Sequence, residues 1–183
     1  YLFNLRNGGL ENDADIYAGL YNAGKQALVP ELRSLKGHNG EVKSIAYVPG
    51  KKEFFTSGAD GKVLKWSLAN KEQSVQVIYS GANESTGNTE VMDIIALSPD
   101  QEWLACASSN TSIRVIPLKQ SSGRYVLSGH KGRIKSLVYS FDGKYLYSAA
   151  LDGRVLKWDL AAHTSVDLTD GTMKINAIDI SSK

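Results

Sequence analysis

The sequence contains a ten-residue stretch that occurs twice in nearly identical form. Residues 57–66 read SGADGKVLKW, and residues 149–158 read AALDGRVLKW. The tryptophans that end these stretches lie 92 residues apart, and the same spacing separates two Gly-His pairs, Gly37-His38 and Gly129-His130. A fixed internal spacing is typical of repeat proteins, in which each unit buries its apolar face against the next unit. The repeat therefore constrains the fold more than any other feature of the chain.

Two further copies of the repeat are weaker or incomplete. Residues 92–99, MDIIALSP, align with the first copy at an offset of 50 residues and with the later copy at an offset of 42. A fourth copy begins at Ile175, which is 41 residues after Ile134. We therefore assign repeats to three segments and the start of a fourth, namely 36–79, 86–128, 129–170 and 174–183.

Each repeat contains short runs that are rich in β-branched and aromatic residues, which indicates strands. In the first repeat the second and third runs, 53–57 and 63–68, are separated by Asp60-Gly61. This pair tolerates the positive φ of a tight hairpin turn. A fourth run, 74–79, precedes the next repeat. The pattern predicts four antiparallel strands per repeat, which we call a, b, c and d.

A four-stranded unit of this length resembles the WD-repeat family of β-propellers. The resemblance rests on Gly-His at the start of the unit and Trp-Ser or Trp-Asp at the end of strand c, in LKGHNGEVKSIAYVPG with FFTSGADGKVLKWSL and in LSGHKGRIKSLVYSFDGKYLYSAALDGRVLKWDL. It covers residues 28–183 and implies an all-β fold, an incomplete β-propeller of about three and a half blades.

Propellers close with about four to eight blades, so an incomplete ring leaves open strand edges. The chain begins at Tyr1 and ends inside a repeat. We therefore expect the remainder of the propeller to come from a longer parent chain. A second copy, closing a seven-bladed ring as a homodimer, is the alternative.

The resemblance also implies a hydrogen-bonded network inside each strongly matching blade. Its members are a histidine, a strand-b hydroxyl, a turn aspartate and a strand-c tryptophan, which here are His38, Thr56, Asp60 and Trp66 in the first repeat and His130, Ser148, Asp152 and Trp158 in the third. An indole N–H needs an acceptor, a hydroxyl can donate and accept, and a carboxylate can select the histidine tautomer.

The same residue types occur in Ser/His/Asp catalysis, which needs one exposed nucleophile beside an oxyanion hole. This set instead occurs twice at identical spacing and includes a tryptophan that has no role in acyl transfer. We interpret it as structural and expect no catalytic residues, so that the chain is not an enzyme. The middle repeat has Cys106, Asn110 and Ile116 in place of the hydroxyl, the aspartate and the tryptophan, and should be held by packing.

In WD-repeat relatives, partners bind the face that carries the d–a and b–c loops. The contact positions are the third and fifth residues after the Gly-His histidine and the residue before the turn aspartate. The matching residues are Glu41, Lys43 and Ala59, then Val91, Asp93 and Ser109, then Arg133, Lys135 and Leu151, with Lys174 and Asn176 in the partial fourth repeat. In the third repeat two cations flank an apolar residue, which favours an acidic, apolar peptide.

The resemblance thus implies a protein–protein interaction or sensor scaffold within a larger signalling protein, with a protein or peptide as partner. A self-assembling structural scaffold is the alternative, and an enzyme or small-ligand-binding propeller is more distant. The formal net charge of +2 is too balanced to favour nucleic acid or membrane binding.

Other chemistry finds little support in the sequence. No P-loop, G-x-G-x-x-G, H-E-x-x-H or C-x-x-C pattern occurs, and the three histidines are far apart, so we expect no metal and no cofactor. The single cysteine excludes an intramolecular disulfide. With no apolar run of membrane-span length and no visible secretory leader, we expect a cytoplasmic protein.

Residues 1–27 do not fit the repeat and are predicted to form a helical lead-in. Asn12 or Asp13 can cap a helix in which Ile16 and Leu20 are spaced i, i+4. This helix either packs against the propeller or connects to an upstream domain. The stretch is similar to the lead-in before propellers of large bacterial signalling proteins with an upstream P-loop ATPase or protease-like domain.

Overall fold

The computed structural model describes residues 35–68, 74–81, 89–119, 123–172 and 174–181. The predicted helical lead-in, 1–27, lies outside the described residues. The described residues form twelve strands and no α-helix. Among them there is accordingly no helix with the length and apolar character that a membrane span requires. The strands are β1 (Val42–Tyr47), β2 (Glu53–Gly58), β3 (Lys62–Ser67), β4 (Ser74–Ser80), β5 (Met92–Leu97), β6 (Trp103–Ser108), β7 (Ile113–Pro117), β8 (Tyr125–Leu127), β9 (Ile134–Tyr139), β10 (Tyr145–Ala150), β11 (Val155–Asp159) and β12 (Thr164–Asp167).

The strands form three four-stranded antiparallel sheets, each in the order a-b-c-d. Blade 1 is β1–β4, blade 2 is β5–β8 and blade 3 is β9–β12. This confirms the predicted fold class, an unclosed all-β propeller. Because neighbouring strands run in opposite directions, the b–c and d–a loops lie at one end of every blade and the a–b and c–d loops at the other. We call these ends the top face and the bottom face.

The b–c turns show why the repeats carry Asp-Gly. Gly61 and Gly153 have φ of 72° and 79°, in the left-handed region that glycine adopts without steric cost. Thr111 has the corresponding position in blade 2 and adopts a φ of 72° with a side chain present. The backbone of this turn is therefore kept even where the sequence signal for it is lost.

Two core clusters lie between blades, and a third, around Trp66, lies on blade 1. Apolar side chains from one face of each sheet pack against the facing sheet, so that Phe55 and Val63 of blade 1 lie in one cluster with Leu104 of blade 2. A second cluster joins blades 2 and 3 and contains Ile113 and Trp158. Complete burial of a Val, Leu, Ile or Phe side chain contributes about 1.5–3 kcal/mol. The packing of neighbouring blades therefore contributes to the stability of the fold.

Residues 174–181 run beside blade 3. The backbone amide of Ile178 donates to Ser136 Oγ (3.2 Å), which donates to the Ile178 carbonyl (3.3 Å). An equivalent contact joins blades 1 and 2, where the Ile95 amide donates to Ser44 Oγ (3.3 Å). Residues 174–181 therefore lie against blade 3 as β5 lies against blade 1.

The arc of described blades leaves apolar groups exposed at both of its outer sides. Ile45 of blade 1 is 56% exposed, whereas the corresponding Ile95 and Leu137 are 6% and 9% exposed because a preceding blade covers them. At the other side Val166 is 63% exposed. These are the surfaces that further blades of a closed ring would cover.

Candidate functional site

In blade 1 the structure brings together all four residues of the predicted network. The indole Nε1 of Trp66 donates to Thr56 Oγ1 (2.8 Å), and Thr56 Oγ1 lies 2.8 Å from His38 Nε2. His38 Nδ1 lies 2.9 Å from Asp60 Oδ1. Because the carboxylate can only accept, Nδ1 carries the proton and the Thr56 hydroxyl donates to Nε2. The bonds therefore run in one direction, from tryptophan through threonine and histidine to aspartate.

Blade 3 repeats this geometry. Trp158 Nε1 donates to Ser148 Oγ (2.8 Å), which lies 2.7 Å from His130 Nε2. His130 Nδ1 lies 3.2 and 3.1 Å from the two carboxylate oxygens of Asp152. Two sets of residues 92 positions apart thus form the same network.

The aspartates also connect the two loops of the top face. Asp60 accepts hydrogen bonds from the backbone amides of Asn39 in the d–a loop (2.9 Å) and Lys62 after the b–c turn (3.1 Å). Burial acts to raise the pKa of Asp60, but the Asn39 amide, the His38 ring and the Lys62 amide together lower it below its usual value. Each network therefore holds a charged carboxylate at neutral pH that fixes the loops.

In blade 3 the pKa of Asp152 is lowered against the effect of burial in the same way. The carboxylate accepts from the amides of Lys131 (2.7 Å) and Arg154 (3.1 Å) and from His130. The loop connections of blades 1 and 3 are therefore chemically equivalent.

Neither network has the features of an acyl-transfer site. The hydroxyl-bearing residues Thr56 and Ser148 are fully buried, and each hydroxyl already bonds both an indole and an imidazole. A substrate cannot reach them. Within the described part of the chain there is also no group of three or more side chains that could hold a metal ion.

Blade 2 is held by different contacts. Burial raises the pKa of the Cys106 thiol, which stays neutral at the position of the hydroxyl. Arg114 donates to Glu90 Oε2 through Nε (2.9 Å) and a terminal nitrogen (2.5 Å), and its guanidinium lies 5.6 Å from the ring centre of Tyr79 in blade 1. Packing was expected to hold this blade, and a half-buried ion pair adds to it.

The b–c turn of blade 2 has a local hydrogen-bonded cluster. Asn110 Oδ1 accepts hydrogen bonds from the hydroxyls of Ser108 and Ser112, the latter at 2.6 Å. It also accepts from the backbone amide of Ser112 at 3.3 Å. This cluster organises the turn and does not include Ile116, the residue at the tryptophan position of strand c.

The predicted partner-binding positions come together on the top face. In each blade the residue before the turn aspartate, or before Asn110 in blade 2, donates its backbone N–H to the carbonyl of the third residue after the histidine position. The three bonds are Ala59 to Glu41 (2.8 Å), Ser109 to Val91 (3.0 Å) and Leu151 to Arg133 (3.0 Å). One backbone geometry therefore places these positions side by side in all three blades.

Their side chains differ in accessibility. Seven are exposed and three are half-buried, whereas Asp93 is buried; the exposed ones are Glu41, Ser109, Arg133, Lys135, Leu151, Lys174 and Asn176, and the half-buried ones are Lys43, Ala59 and Val91. The guanidinium of Arg133 in blade 3 donates to both carboxylate oxygens of Asp93 in blade 2 (2.8 and 2.6 Å). Lys43 donates to Glu41 at 2.6 Å. The Arg133 charge therefore serves an inter-blade bridge, whereas Lys135, Leu151 and Lys174 are exposed.

Comparison with known proteins agrees with this architecture. The family model described as "WD domain, G-beta repeat" matches residues 30–67, 76–116 and 122–159. The chain is 30% identical over 132 residues to WD repeat-containing protein 36 from Homo sapiens, covering 72% of this chain and 14% of that protein. It is 32% identical over 125 residues to Transducin beta-like protein 3 from Bos taurus, covering 67% of this chain and 15% of that protein. The chain thus spans about one-seventh of the length of these relatives.

Solved structures share the fold at lower sequence identity. The crystal structure of the RRP9 WD40 repeats superposes with a TM-score of 0.67 at 24% identity, covering 79% of this chain and 43% of that one. The crystal structure of the WD40 β-propeller domain of Doa1 gives a TM-score of 0.61 at 22% identity, covering 76% of this chain and 44% of that one.

Proposed function

The chain belongs to the WD-repeat family, and from this premise we propose that it is a protein-interaction scaffold whose top face binds an acidic, apolar segment of a partner protein. WD-repeat proteins generally mediate protein–protein interactions. The observation that supports the proposal is the repeated backbone bond between the b–c turn and the d–a loop, which holds two of the predicted contact positions side by side in each blade. A rigid scaffold that displays loops in fixed positions is well suited to binding other chains.

Blade 3 has the chemistry that recognises such a segment. Leu151 is exposed and Lys135 lies on the same face, with Lys174 from the following repeat exposed as well. Two cations beside an apolar group complement a carboxylate next to a large apolar side chain. Arg133 contributes less than its charge indicates, because its guanidinium already binds Asp93.

The test uses a labelled peptide, Asp-Glu-Leu-Asp-Phe-Glu, and fluorescence anisotropy with the intact protein. Lys135→Glu should weaken binding about fivefold, since an exposed charge pair contributes up to about 1 kcal/mol. Leu151→Asp should weaken it about tenfold by placing a like charge at the contact. The matched control is Lys144→Glu, an exposed lysine of the bottom face, which should have no effect beyond its change in net charge.

Equal affinities for the Lys135 and Lys144 variants would contradict the proposal. Arg133→Glu is unsuitable as a probe, because it would place two carboxylates together between blades 2 and 3. Its effect on binding could not be separated from its effect on the inter-blade contact.

We further propose that the missing blades come from the parent protein and that this protein is a cytoplasmic signalling or sensor protein. The exposed apolar edges support the first part, because a closed ring would bury them. The free thiol of Cys106 is consistent with a reducing compartment.

A homodimeric seven-bladed ring finds less support. Strands a and d lie at opposite edges of each sheet and are joined through b and c. The half blade predicted from the sequence consists of one strand d before the first repeat and one strand a at 174–183. In a homodimer, strand a of one copy and strand d of the other would share a blade and leave its two central positions empty. Light scattering that shows a stable dimer of the intact protein would favour the second copy instead.

A further inference from the structure

An open cleft lies between blades 2 and 3 on the bottom face, at the opposite end of the strands from the top-face positions. Its volume is about 620 Å³. Blade 2 lines it with Trp103 and Tyr125, and blade 3 lines it with Tyr139 and His163. The cleft is therefore an inter-blade surface in which aromatic rings are concentrated.

The rings form a continuous wall. The Tyr125 and His163 rings are stacked, with centroids 4.3 Å apart and an interplanar angle of 21°. The ring centroids of Tyr125 and Trp103 lie 5.9 Å apart, and the angle between the ring planes is 59°. His163 adopts a φ of 57°, a left-handed conformation that is costly for a residue with a side chain. The fold thus accepts local backbone strain at the residue that stacks on Tyr125.

Tyr139 places an unsatisfied polar group beside this wall. The residue is 6% exposed, and its buried hydroxyl has no hydrogen-bond partner. Buried polar groups without partners are destabilising and uncommon in folded proteins. Burial raises the pKa of Tyr139, and the nearby carboxylate of Asp100 adds to this shift. The hydroxyl therefore stays neutral and keeps lone pairs that can accept a hydrogen bond.

Two carboxylates in fixed positions and the ammonium group of Lys144 line the same cleft, and Lys144 pairs with Asp142 at 3.9 Å. Asp100 accepts hydrogen bonds from Ser98 Oγ (2.5 Å) and from the Glu102 amide (3.0 Å). Asp159 accepts from the amides of Ala161 and Ala162 (3.0 and 2.9 Å). Aromatic ring faces and carboxylates both attract a cation.

The corresponding positions between blades 1 and 2 lack these properties. Trp103, Tyr125 and Tyr139 are replaced there by Glu53, Gln76 and Leu97, at equivalent positions of the repeat. Glu53 forms an ion pair with Lys65 at 3.1 Å. Of the two interfaces between described blades, only that of blades 2 and 3 has these aromatic residues, so the cleft is not a consequence of the fold.

We propose that this cleft binds the side chain of an arginine or lysine that a partner polypeptide presents to the bottom face. The ring faces would contact the cationic group, and the carboxylates of Asp100 and Asp159 would neutralise it. The Tyr139 hydroxyl would accept a hydrogen bond from it. This site is separate from the top face in position and in charge preference, so a partner could engage both.

The test is ¹⁹F NMR of the intact protein labelled with 5-fluorotryptophan. Trp66 and Trp158 are buried in the networks, and Trp103 lines the cleft, so a Trp103→Phe variant identifies the reporter resonance. The probe is the peptide acetyl-Gly-Gly-Arg-Gly-Gly-amide. Its control carries citrulline, which has nearly the same shape as arginine and no charge. We expect the arginine peptide to shift the Trp103 resonance saturably. The citrulline peptide should bind with an affinity at least about tenfold lower.

Variants that keep the local hydrogen bonds test the charge. Asp100→Asn with Asp159→Asn preserves the acceptor oxygens and should weaken arginine binding about tenfold. Tyr139→Phe should weaken it about threefold. The control Tyr47→Phe removes a hydroxyl from the same strand position of the exposed edge in blade 1 and should have no effect.

Absence of a shift with the arginine peptide, equal affinity for citrulline, or unchanged affinity in the double Asn variant would overturn the inference. Lys135→Glu should leave arginine binding unchanged while it weakens the acidic peptide. Failure of the cleft proposal can thus be distinguished from failure of the proposed top-face function.

Discussion

Blades 1 and 3 share one hydrogen-bonded network, whereas blade 2 lies between them without it. All three sheets nevertheless have the same strand order and the same backbone bond between the b–c turn and the d–a loop. The four-residue network is therefore not required to set the sheet geometry. The network adds a connection from the core to the top-face loops.

Blade 2 also shows that the members of the network are replaced together. Cys106 and Ile116 occupy the positions of the hydroxyl and the tryptophan, so no indole N–H is left without an acceptor. Its polar contacts lie elsewhere, in the Glu90–Arg114 pair and the Asn110 turn cluster. A network of this kind is stable as a whole set, because each buried polar member depends on its neighbours.

Removal of the strand-c side chain should give the largest difference between the blades. Trp158→Ala should lower the free energy of unfolding by about 3–5 kcal/mol, because it creates a large cavity and removes a donor to Ser148. The matched Ile116→Ala in blade 2 should cost about 2 kcal/mol. Urea unfolding at neutral pH measures both. Similar losses for the two variants would show that the network adds nothing beyond packing.

Exchange of the strand-b side chains should give an intermediate effect. Ser148→Ala leaves both Trp158 Nε1 and His130 Nε2 without their partner and should cost about 2 kcal/mol. Cys106→Ser introduces a buried hydroxyl next to Ile116, which has no N–H to offer, and should also destabilise, by about 1 kcal/mol. A stabilising Cys106→Ser, measured by the same urea titration, would contradict the view that the hydroxyl is useful only within the full set.

The smallest effect should appear in the pH dependence. The pKa values of Asp60 and Asp152 are lowered in the folded protein, so their stabilisation is present above the pKa of an unfolded aspartate, about 4, and is lost as the pH falls through the folded-state pKa. The difference in Tm between the protein and its Asp60→Asn, Asp152→Asn variant should therefore be constant above about pH 5 and shrink below about pH 4.

The middle blade carries Asn110 at the turn position and contributes nothing to this dependence. Asp179→Asn, outside both networks, serves as the control and should leave the shape of the pH profile unchanged. A Tm difference that stays constant down to pH 3 would show that the carboxylate charge is not the source of the stabilisation.

Local chemistry made the repeat, the hairpins and the membership of the two networks predictable. The Asp-Gly turns bring strand b beside strand c, so that Thr56 and Trp66 become neighbours from a separation of ten residues. Side chains that pair across blades carry no such signal. Arg133 and Asp93 are 40 positions apart and were both predicted to be available to a partner, and their mutual bridge follows only from how blade 3 stacks on blade 2.

Glu90 and Arg114 illustrate the same limit. Arg114 stands where blades 1 and 3 have Leu64 and Leu156, so the repeat alignment shows only a departure from the pattern. Its function in blade 2 depends on Glu90 and on Tyr79 of the neighbouring sheet.

By itself, the sequence determined the unit of the fold, because turn residues, strand periodicity and the polar set act within a single repeat. Tertiary structure alone decided which charges are used between blades and where the aromatic cleft forms. The reason is geometric: side chains from separate repeats meet only after the sheets have stacked, and the stacking depends on the apolar faces of whole blades.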